Sequence, residues 1–233
     1  MNGFLLVDKP KGMSSFGVVA RVRGVWRAQL RAEGQSIKKA KVGHTGTLDP
    51  AASGLMILVL GEYCKRAMEF SKLDKVYEVN LRLGQNSTTD DGEGELEAVS
   101  DFQPTKEQLY EALSQFTGEI QQVPPIYSAI KVNGRRAYDM ARKGQEVVLE
   151  PRSVTIFSLD NVDYSYPEVS FTVHVSSGTY IRSIVRDLGE KLGTGAYLQD
   201  LRRTKVGAYL IQDATSLEQL GTVNQIQSVL REA

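Results

Sequence analysis

The chain has 233 residues, 41% of them hydrophobic, with 28 basic and 28 acidic side chains and a formal net charge of zero. That length buries a substantial core and suits one catalytic-sized domain. The balanced charge gives no global support to nucleic-acid binding, the single cysteine excludes an intramolecular disulfide, and no apolar run approaches the roughly 20 residues that cross a bilayer.

Phe4-Leu5-Leu6-Val7 reads as a first strand, not as a basic segment leading into a long apolar one, so a cytoplasmic protein is expected. Asp8-Lys9-Pro10-Lys11-Gly12-Met13-Ser14-Ser15 is a turn handing over to a helix capped by Ser14 or Ser15. Val18, Val19, Val22, Val25, Trp26 and Leu30 recur at helical spacing, with arginines on the other face. Arg21, Arg23, Arg27, Arg31, Lys38, Lys39 and Lys41 are opposed there only by Glu33. Such a run tracks phosphates or forms a solvated helix face and a basic loop; the residues leave both open.

Chemistry is densest in Gly43-His44-Thr45-Gly46-Thr47-Leu48-Asp49-Pro50-Ala51-Ala52-Ser53-Gly54, immediately before the apolar run Leu55 to Leu60. Pro50 disfavours the helical region for Asp49 and so aims its carboxylate, while the glycines allow sharp turns and close approach. Asp49 is therefore either a functional carboxylate on a loop or a turn residue capping its own backbone. The loop lacks the Gly-x4-Gly-Lys-Ser/Thr spacing of a phosphate-binding loop. His174 is the only other histidine and Cys64 the only cysteine, so a metal centre is not expected.

Glu62 to Phe70 reads as a short helix and Lys75 to Leu83 as a strand with Tyr77 on its apolar face, where a core tyrosine is the plain reading. Asp90, Asp91, Glu93, Glu95 and Glu97 suggest an exposed loop. Thr105 and Gln108 form a capping box that opens a helix through Leu109, Leu113 and Phe116. After the break at Pro124-Pro125, Ile126 to Val132 is strand-like up to a hairpin-type turn at Asn133-Gly134. Arg135, Arg136, Arg142 and Lys143 surround a short helix containing Tyr138, which suits RNA contacts and a solvated surface equally.

Arg152 to Val162 and Val169 to Val175 read as further strands, with His174 on the polar face of the second. Ser176 to Arg182 then leads into a helix marked by Ile184, Val185, Leu188 and Leu192. Tyr180 and Arg182 fall at that strand-to-helix junction. Arg182 is an ordinary surface arginine or, since a cation opposes the dipole at a helix start, one that has a partner anion. Leu201-Arg202-Arg203-Thr204 precedes a strand-like run from Val206 to Ile211, and Ser216 to Gln219 is a capping box for a terminal helix. The order of elements implies an α+β domain, a mixed, mostly antiparallel sheet with flanking helices.

Six blocks, in order, resemble the motifs of the TruB-type tRNA pseudouridine synthases. They are Asp8 to Ser15, Gly43 to Gly54, Lys75-Val76-Tyr77, Pro124-Pro125-Ile126-Tyr127-Ser128-Ala129-Ile130-Lys131, Gly178-Thr179-Tyr180-Ile181-Arg182 and Leu201 to Thr204. The resemblance implies a pseudouridine-synthase-like catalytic domain over residues 1–212 and a short helical extension over 213–233, without the PUA-type domain into which many bacterial members continue. It implies isomerisation of uridine 55 in the T loop of tRNA, with Asp49 as the catalytic aspartate, Tyr77 against the target base and Arg182 pairing with the aspartate. His44 matches the histidine that props open the loop around the flipped nucleotide, and Tyr180 and Leu201 match positions lining the uracil pocket.

Lys9, Lys38, Lys39, Lys41, Arg135 and Arg136 are the candidate contacts to the RNA backbone. The stretch from Arg21 to Lys41 is longer and more basic than the family pattern, and is expected to serve as an extra phosphate-binding arm. No metal or other cofactor is required. The expected partner is the T stem-loop of tRNA, with no membrane and no obligatory protein partner, and the expected state is a monomer. Whether Asp49 attacks the sugar carbon, attacks C6 or stabilises a glycal-like intermediate is open at this level. The rival reading is a non-catalytic RNA-binding or tRNA-folding module on the same scaffold. A glycoside hydrolase would need a second carboxylate across the bond, and no motif supplies one.

Overall fold

The computed structural model describes residues 1–128, 130–132 and 134–232. Ala129, Asn133, Ala233 and the side chains of Lys131 and Arg136 lie outside the described residues, and with them the Asn133 half of the expected turn and the expected RNA contact of Arg136.

In chain order the strands are β1 (Gly3–Lys9), β2 (Val42–His44), β3 (Ser53–Leu60), β4 (Lys75–Leu83), β5 (Gln85–Ser87), β6 (Leu96–Ala98), β7 (Gly118–Gln122), β8 (Lys131–Val132), β9 (Arg135–Arg136), β10 (Arg152–Ser165), β11 (Glu168–Val175), β12 (Ala196–Val206), β13 (Tyr209–Leu210) and β14 (Thr215–Ser216). The α-helices are α1 (Ser15–Ala32), α2 (Ala67–Ser71), α3 (Lys106–Ser114), α4 (Ala137–Ala141), α5 (Ile181–Leu192) and α6 (Val223–Ser228). The expected fold class holds: a mixed, mostly antiparallel sheet of ten strands with helices, plus two small hairpins. The chain forms two compact units, Met1–Tyr77 with Arg202–Ala233, and Glu78–Leu201.

In the first unit β1 runs antiparallel to β3 from Gly3↔Leu60 to Lys9↔Gly54, and β3 runs parallel to β12 at Arg202↔Ser53 and Arg203↔Gly54. β3 is buried on both faces, which is why Leu55 to Leu60 reads as an unbroken apolar run and not as an alternation. One face packs Phe4, Leu6, Leu55, Ile57 and Val59 with Phe70 and Val206, and the Phe4 ring lies 5.1 Å from Phe70 and 5.3 Å from Tyr209. α1 begins where the Ser14 hydroxyl accepts from the Gly17 amide at 3.0 Å, and it buries Val18, Val19, Val22, Trp26 and Leu30.

Gly54 has φ +109°, and a Cβ there would lie 2.3 Å from the Arg203 carbonyl oxygen. Only glycine lets β12 run this close to the start of β3. The last segment adds β14 parallel to β1, and Phe4 and Arg231 exchange two backbone hydrogen bonds of 2.9 Å. The expected terminal helix is split into a 3-10 turn at Leu217–Leu220 with the Ser216/Gln219 capping box, and α6 with a second box of Thr222 and Gln225.

In the second unit β7, β10 and β11 form an antiparallel ribbon, with Arg152↔Gln122 on one side of β10 and Ser165↔Glu168 on the other. α3 starts at the expected Thr105/Gln108 capping box and buries Leu109, Ala112 and Leu113. α5 packs near α3 and ends at Gly193 with φ +70°, a left-handed cap.

Two further expected elements differ. Among the described residues of the stretch from Ile126 to Val132, only Lys131–Val132 form a strand, paired with β9. Leu201 to Thr204 lie inside β12, which ends at Val206 because the chain turns at Gly207 with φ +55°.

Candidate active site

The loop between β2 and β3 is bound on both sides of Asp49 by groups from distant parts of the first unit. Before it, the Arg203 guanidinium donates to the carbonyls of Gly46 at 3.1 Å and Thr47 at 3.5 Å, and Nε donates to Leu55 at 2.7 Å. Next to it, the Ser15 hydroxyl donates to the Leu48 carbonyl at 2.7 Å and accepts from the Leu48 amide at 2.8 Å. After it, the Pro50 carbonyl accepts from the Gly12 amide at 2.8 Å and from Lys9 Nζ at 3.3 Å. Leu48 and Ala52 are buried, whereas Asp49 is half-buried. Its own carbonyl accepts from the Ala52 amide at 3.1 Å, so the chain turns directly beyond it. The restricted backbone expected of an Asp-Pro pair is thus reinforced from outside the loop.

Lys9 does not lie where an RNA backbone contact would require. It is fully buried, and its ammonium donates to Met13, Pro10 and Pro50 carbonyls at 2.6, 2.9 and 3.3 Å. A lysine can be buried when carbonyls solvate its charge, and here that requirement ties the turn after β1 to the Asp49 loop. Beside it, Arg202 makes a two-pronged pair with Asp8 at 2.8 and 3.2 Å.

His44 ends β2, half-buried, and its Nδ1 is buried with no hydrogen-bond partner among the described residues. Burial first, and the nearby Arg203 second, push its pKa below the usual histidine value, which favours a neutral imidazole. Tyr77 is 7% exposed on the inward row of β4 that also carries Lys75, Val79, Leu81 and Leu83. Lys75 is 6% exposed and donates to the carbonyls of Ser71, at 2.7 Å, and Leu73. Its pKa is pushed down to about 8, mainly by burial and then by Arg203.

In the second unit Arg182 is the second residue of α5 and is 5% exposed, not a surface arginine. It donates to the carbonyls of Tyr127 at 2.9 Å and Thr89 at 3.0 Å, and its guanidinium lies 3.7 Å from the Asp91 carboxylate. Asp91 therefore departs from the expected exposed loop. It is buried, and its Oδ1 accepts from the Thr89 hydroxyl at 2.5 Å and the Glu93 amide at 3.0 Å. Next to it, Asp90 pairs with Arg186 at 3.4 Å; burial raises its pKa and Arg186 opposes that rise.

Tyr180 caps α5 and is half-buried. The fully buried Gln122 amide accepts from its backbone N–H at 2.8 Å and donates to its carbonyl at 3.1 Å, fixing the helix start. Leu201 is 8% exposed on β12. Lys38, Lys39, Lys41 and Arg135 are exposed, as backbone contacts would need. Among the described residues no group of three His, Cys, Asp or Glu side chains is placed to hold a metal ion, and no helix is long and apolar enough to cross a membrane.

Sequence reasoning missed Ser15 and Arg203 as parts of this site. Ser15 carried a signal, since only one of two adjacent serines caps a helix and the other needs a different partner. Arg203 carried none, because its place with Leu201 on a buried row emerges only once β12 is seen to run through both.

Comparison with known proteins is consistent along the chain. Residues 35–181 match the family model for the TruB family pseudouridylate synthase N-terminal domain, and residues 182–233 match that for the tRNA pseudouridylate synthase B C-terminal domain. The chain is 42% identical over 230 residues to tRNA pseudouridine synthase B of Clostridium kluyveri, covering 99% of this chain and 76% of that protein. It is 43% identical over 225 residues to the Burkholderia mallei protein of the same name, covering 97% and 71%. Among solved structures, a chain of a Cbf5-Nop10-Gar1 complex superposes with a TM-score of 0.73 at 24% identity, covering 99% of this chain and 60% of that one, a likeness of fold. The chain belongs to the TruB family of pseudouridylate synthases.

Proposed function

We propose that the chain isomerises uridine 55 in the T loop of tRNA to pseudouridine, in the cytoplasm, with Asp49 as the catalytic carboxylate. The observation that carries the assignment of Asp49 is the binding of its loop on both sides by Arg203, Ser15, Gly12 and Lys9, which holds one half-buried carboxylate in place. The relatives' name, tRNA pseudouridine synthase B, supports the substrate.

The reaction breaks the bond from N1 of uracil to the sugar, turns the base within the pocket and bonds C5 to the same sugar carbon. The proton lost from C5 is balanced by one gained at N1, so the conversion is an isomerisation with no net oxidation. A carboxylate suits it as nucleophile or as stabiliser of positive charge at the sugar. The target base leaves its stack at a cost of a few kcal/mol, least in a loop. Tyr77 stacks on it, a contact worth about 1 to 3 kcal/mol. Tyr180 and Leu201 line the uracil pocket, a neutral His44 holds the nucleotide out of its stack, and Arg182 supplies positive charge for the reaction.

Catalysis is assigned to residues 1–212, with 213–233 an extension of that domain. The exposed Lys38, Lys39, Lys41 and Arg135 bind backbone phosphates, which lets a protein without net charge hold RNA through a local basic surface.

The test is pseudouridine formation in a T stem-loop RNA, together with binding of the same RNA. Wild type converts it; Asp49→Asn binds it with similar affinity and converts it at least about 1,000-fold more slowly. Near-normal conversion by Asp49→Asn would refute the assignment.

A further inference from the structure

We infer that Arg203 is the positioning residue of the Asp49 loop, fixing the carboxylate by holding the carbonyls of Gly46, Thr47 and Leu55. The inference rests on the reading of Asp49 as the catalytic carboxylate. Gly46 and Thr47 lead into Asp49 and Leu55 follows the loop, so one guanidinium ties its entry to its exit. Arg203 is 2% exposed, and no carboxylate pairs with it among the described residues; its acceptors are carbonyl oxygens.

A planar guanidinium with five fixed donors can bridge separate carbonyls at once, whereas a lysine ammonium is a compact point charge on a flexible stem. The backbone that carries Arg203 is itself placed by the start of β3. It pairs with Gly54, whose missing side chain admits the Arg203 carbonyl, and the guanidinium then reaches Gly46, where a Cβ would sit 3.5 Å from Nη1. Two residues of the loop and one of the next strand therefore depend on one side chain from a strand some 150 positions away in sequence. Its charge also acts on the strand before the loop, adding to burial in lowering the His44 pKa.

The experiment compares wild type, Arg203→Lys and Arg203→Gln for melting temperature, affinity for a T stem-loop RNA, single-turnover conversion and the titration of His44 by NMR. Both variants are expected to fold and to bind within about 3-fold of wild type, while conversion slows by about 100-fold, the scale of a reacting group misplaced by about 1 Å. The His44 pKa is expected to rise in Arg203→Gln and to stay low in Arg203→Lys, which reads the charge at this position, while the loss of conversion at retained affinity reads the positioning role. Conversion within about 3-fold of wild type in a folded variant would overturn the inference. So would an affinity loss equal to the rate loss, or loss of the fold in both variants, which would assign Arg203 to the core alone. Asp49→Asn in the same assay separates the two readings. If it converts normally, the assignment of Asp49 fails and this inference with it; if it is inactive while Arg203→Lys is active, only this inference fails.

Discussion

The Asp49 loop of the first unit and the Asp91 turn of the second are built alike and end differently. Each is a short polar segment held by a buried arginine, Arg203 on the carbonyls of Gly46 and Thr47 in one case and Arg182 on the carbonyl of Thr89 in the other. Asp91 is drawn inside, facing its arginine at 3.7 Å and accepting two further hydrogen bonds. Asp49 stays half-buried, and the arginine of its loop is met by carbonyls. The same grip goes with one aspartate buried and the other half-buried. The difference lies in where the backbone turns: Pro50 and the Ser15–Leu48 pair hold Asp49 half-buried, while the left-handed Asp90, φ +62°, precedes the buried Asp91.

That contrast predicts opposite consequences for the two aspartates. Asp91→Ala leaves Arg182 buried without this partner and is expected to cost about 3 to 5 kcal/mol, read by chemical denaturation. Asp49→Asn, the variant expected to slow conversion, is expected to change stability by less than about 1 kcal/mol. Equal stability losses would erase the distinction.

Lys75 sharpens the comparison from the other side, as a cation that burial penalises beside Arg203. Its folded-state pKa of about 8 lies below the value near 10.4 of an unfolded lysine. The unfolded chain therefore binds more protons between those two values, and stability rises with pH across that window. The full penalty is present below pH 8, and relieving it contributes up to about 3 kcal/mol. Unfolding free energies of wild type and Lys75→Met at pH 7.5 and pH 10 should show the larger alkaline gain in wild type. Equal gains would remove Lys75 from the account.

Ser15→Ala deprives Leu48 of both its partners and is expected to cost about 2 kcal/mol, with slower conversion and little change in RNA affinity. Unchanged stability would mean that Arg203, Gly12 and Lys9 suffice to hold the loop. The smallest effect concerns neither loop. Neutralising Lys38, Lys39 and Lys41 together should leave stability unaltered and flatten the salt dependence of tRNA binding by about 2 in log–log slope. An unchanged slope would rule out the basic arm.

What was legible in the sequence follows from whether a residue's partners are near it in the chain. The α3 capping box closes within four residues, the alternation of β4 within nine and the buried run of β3 within eight, and all three were readable. Ser15, Lys9, Asp91 and Arg203 depend on groups that are remote in sequence or on the path of a turn. Their polarity suggested surface positions where the fold supplied partners. The placing of that strand at Val206 to Ile211, where β12 is Ala196–Val206, has the same cause: Arg202 and Arg203 look like loop residues until Asp8 and the loop carbonyls are placed beside them. The candidate residues themselves came from motif resemblance. Periodicity alone read Tyr77 as a core tyrosine, and its 7% exposure fits that too.

The close approach of β12 to Gly54 also limits which genetic changes this locus can absorb. A single-base change in a glycine codon either is silent, stops translation or introduces a residue with a Cβ. At Gly54 any Cβ falls 2.3 Å from one backbone atom of Arg203 and 2.6 Å from another, and φ is +109° besides. At Gly46 the same Cβ would make ordinary contact, 3.5 Å from a side-chain tip. Gly46 in the loop and Gly54 at the start of β3 thus carry unequal mutational loads. The codon for Gly54 can drift only through its synonyms, because the backbone of another strand occupies the space that any alternative would need.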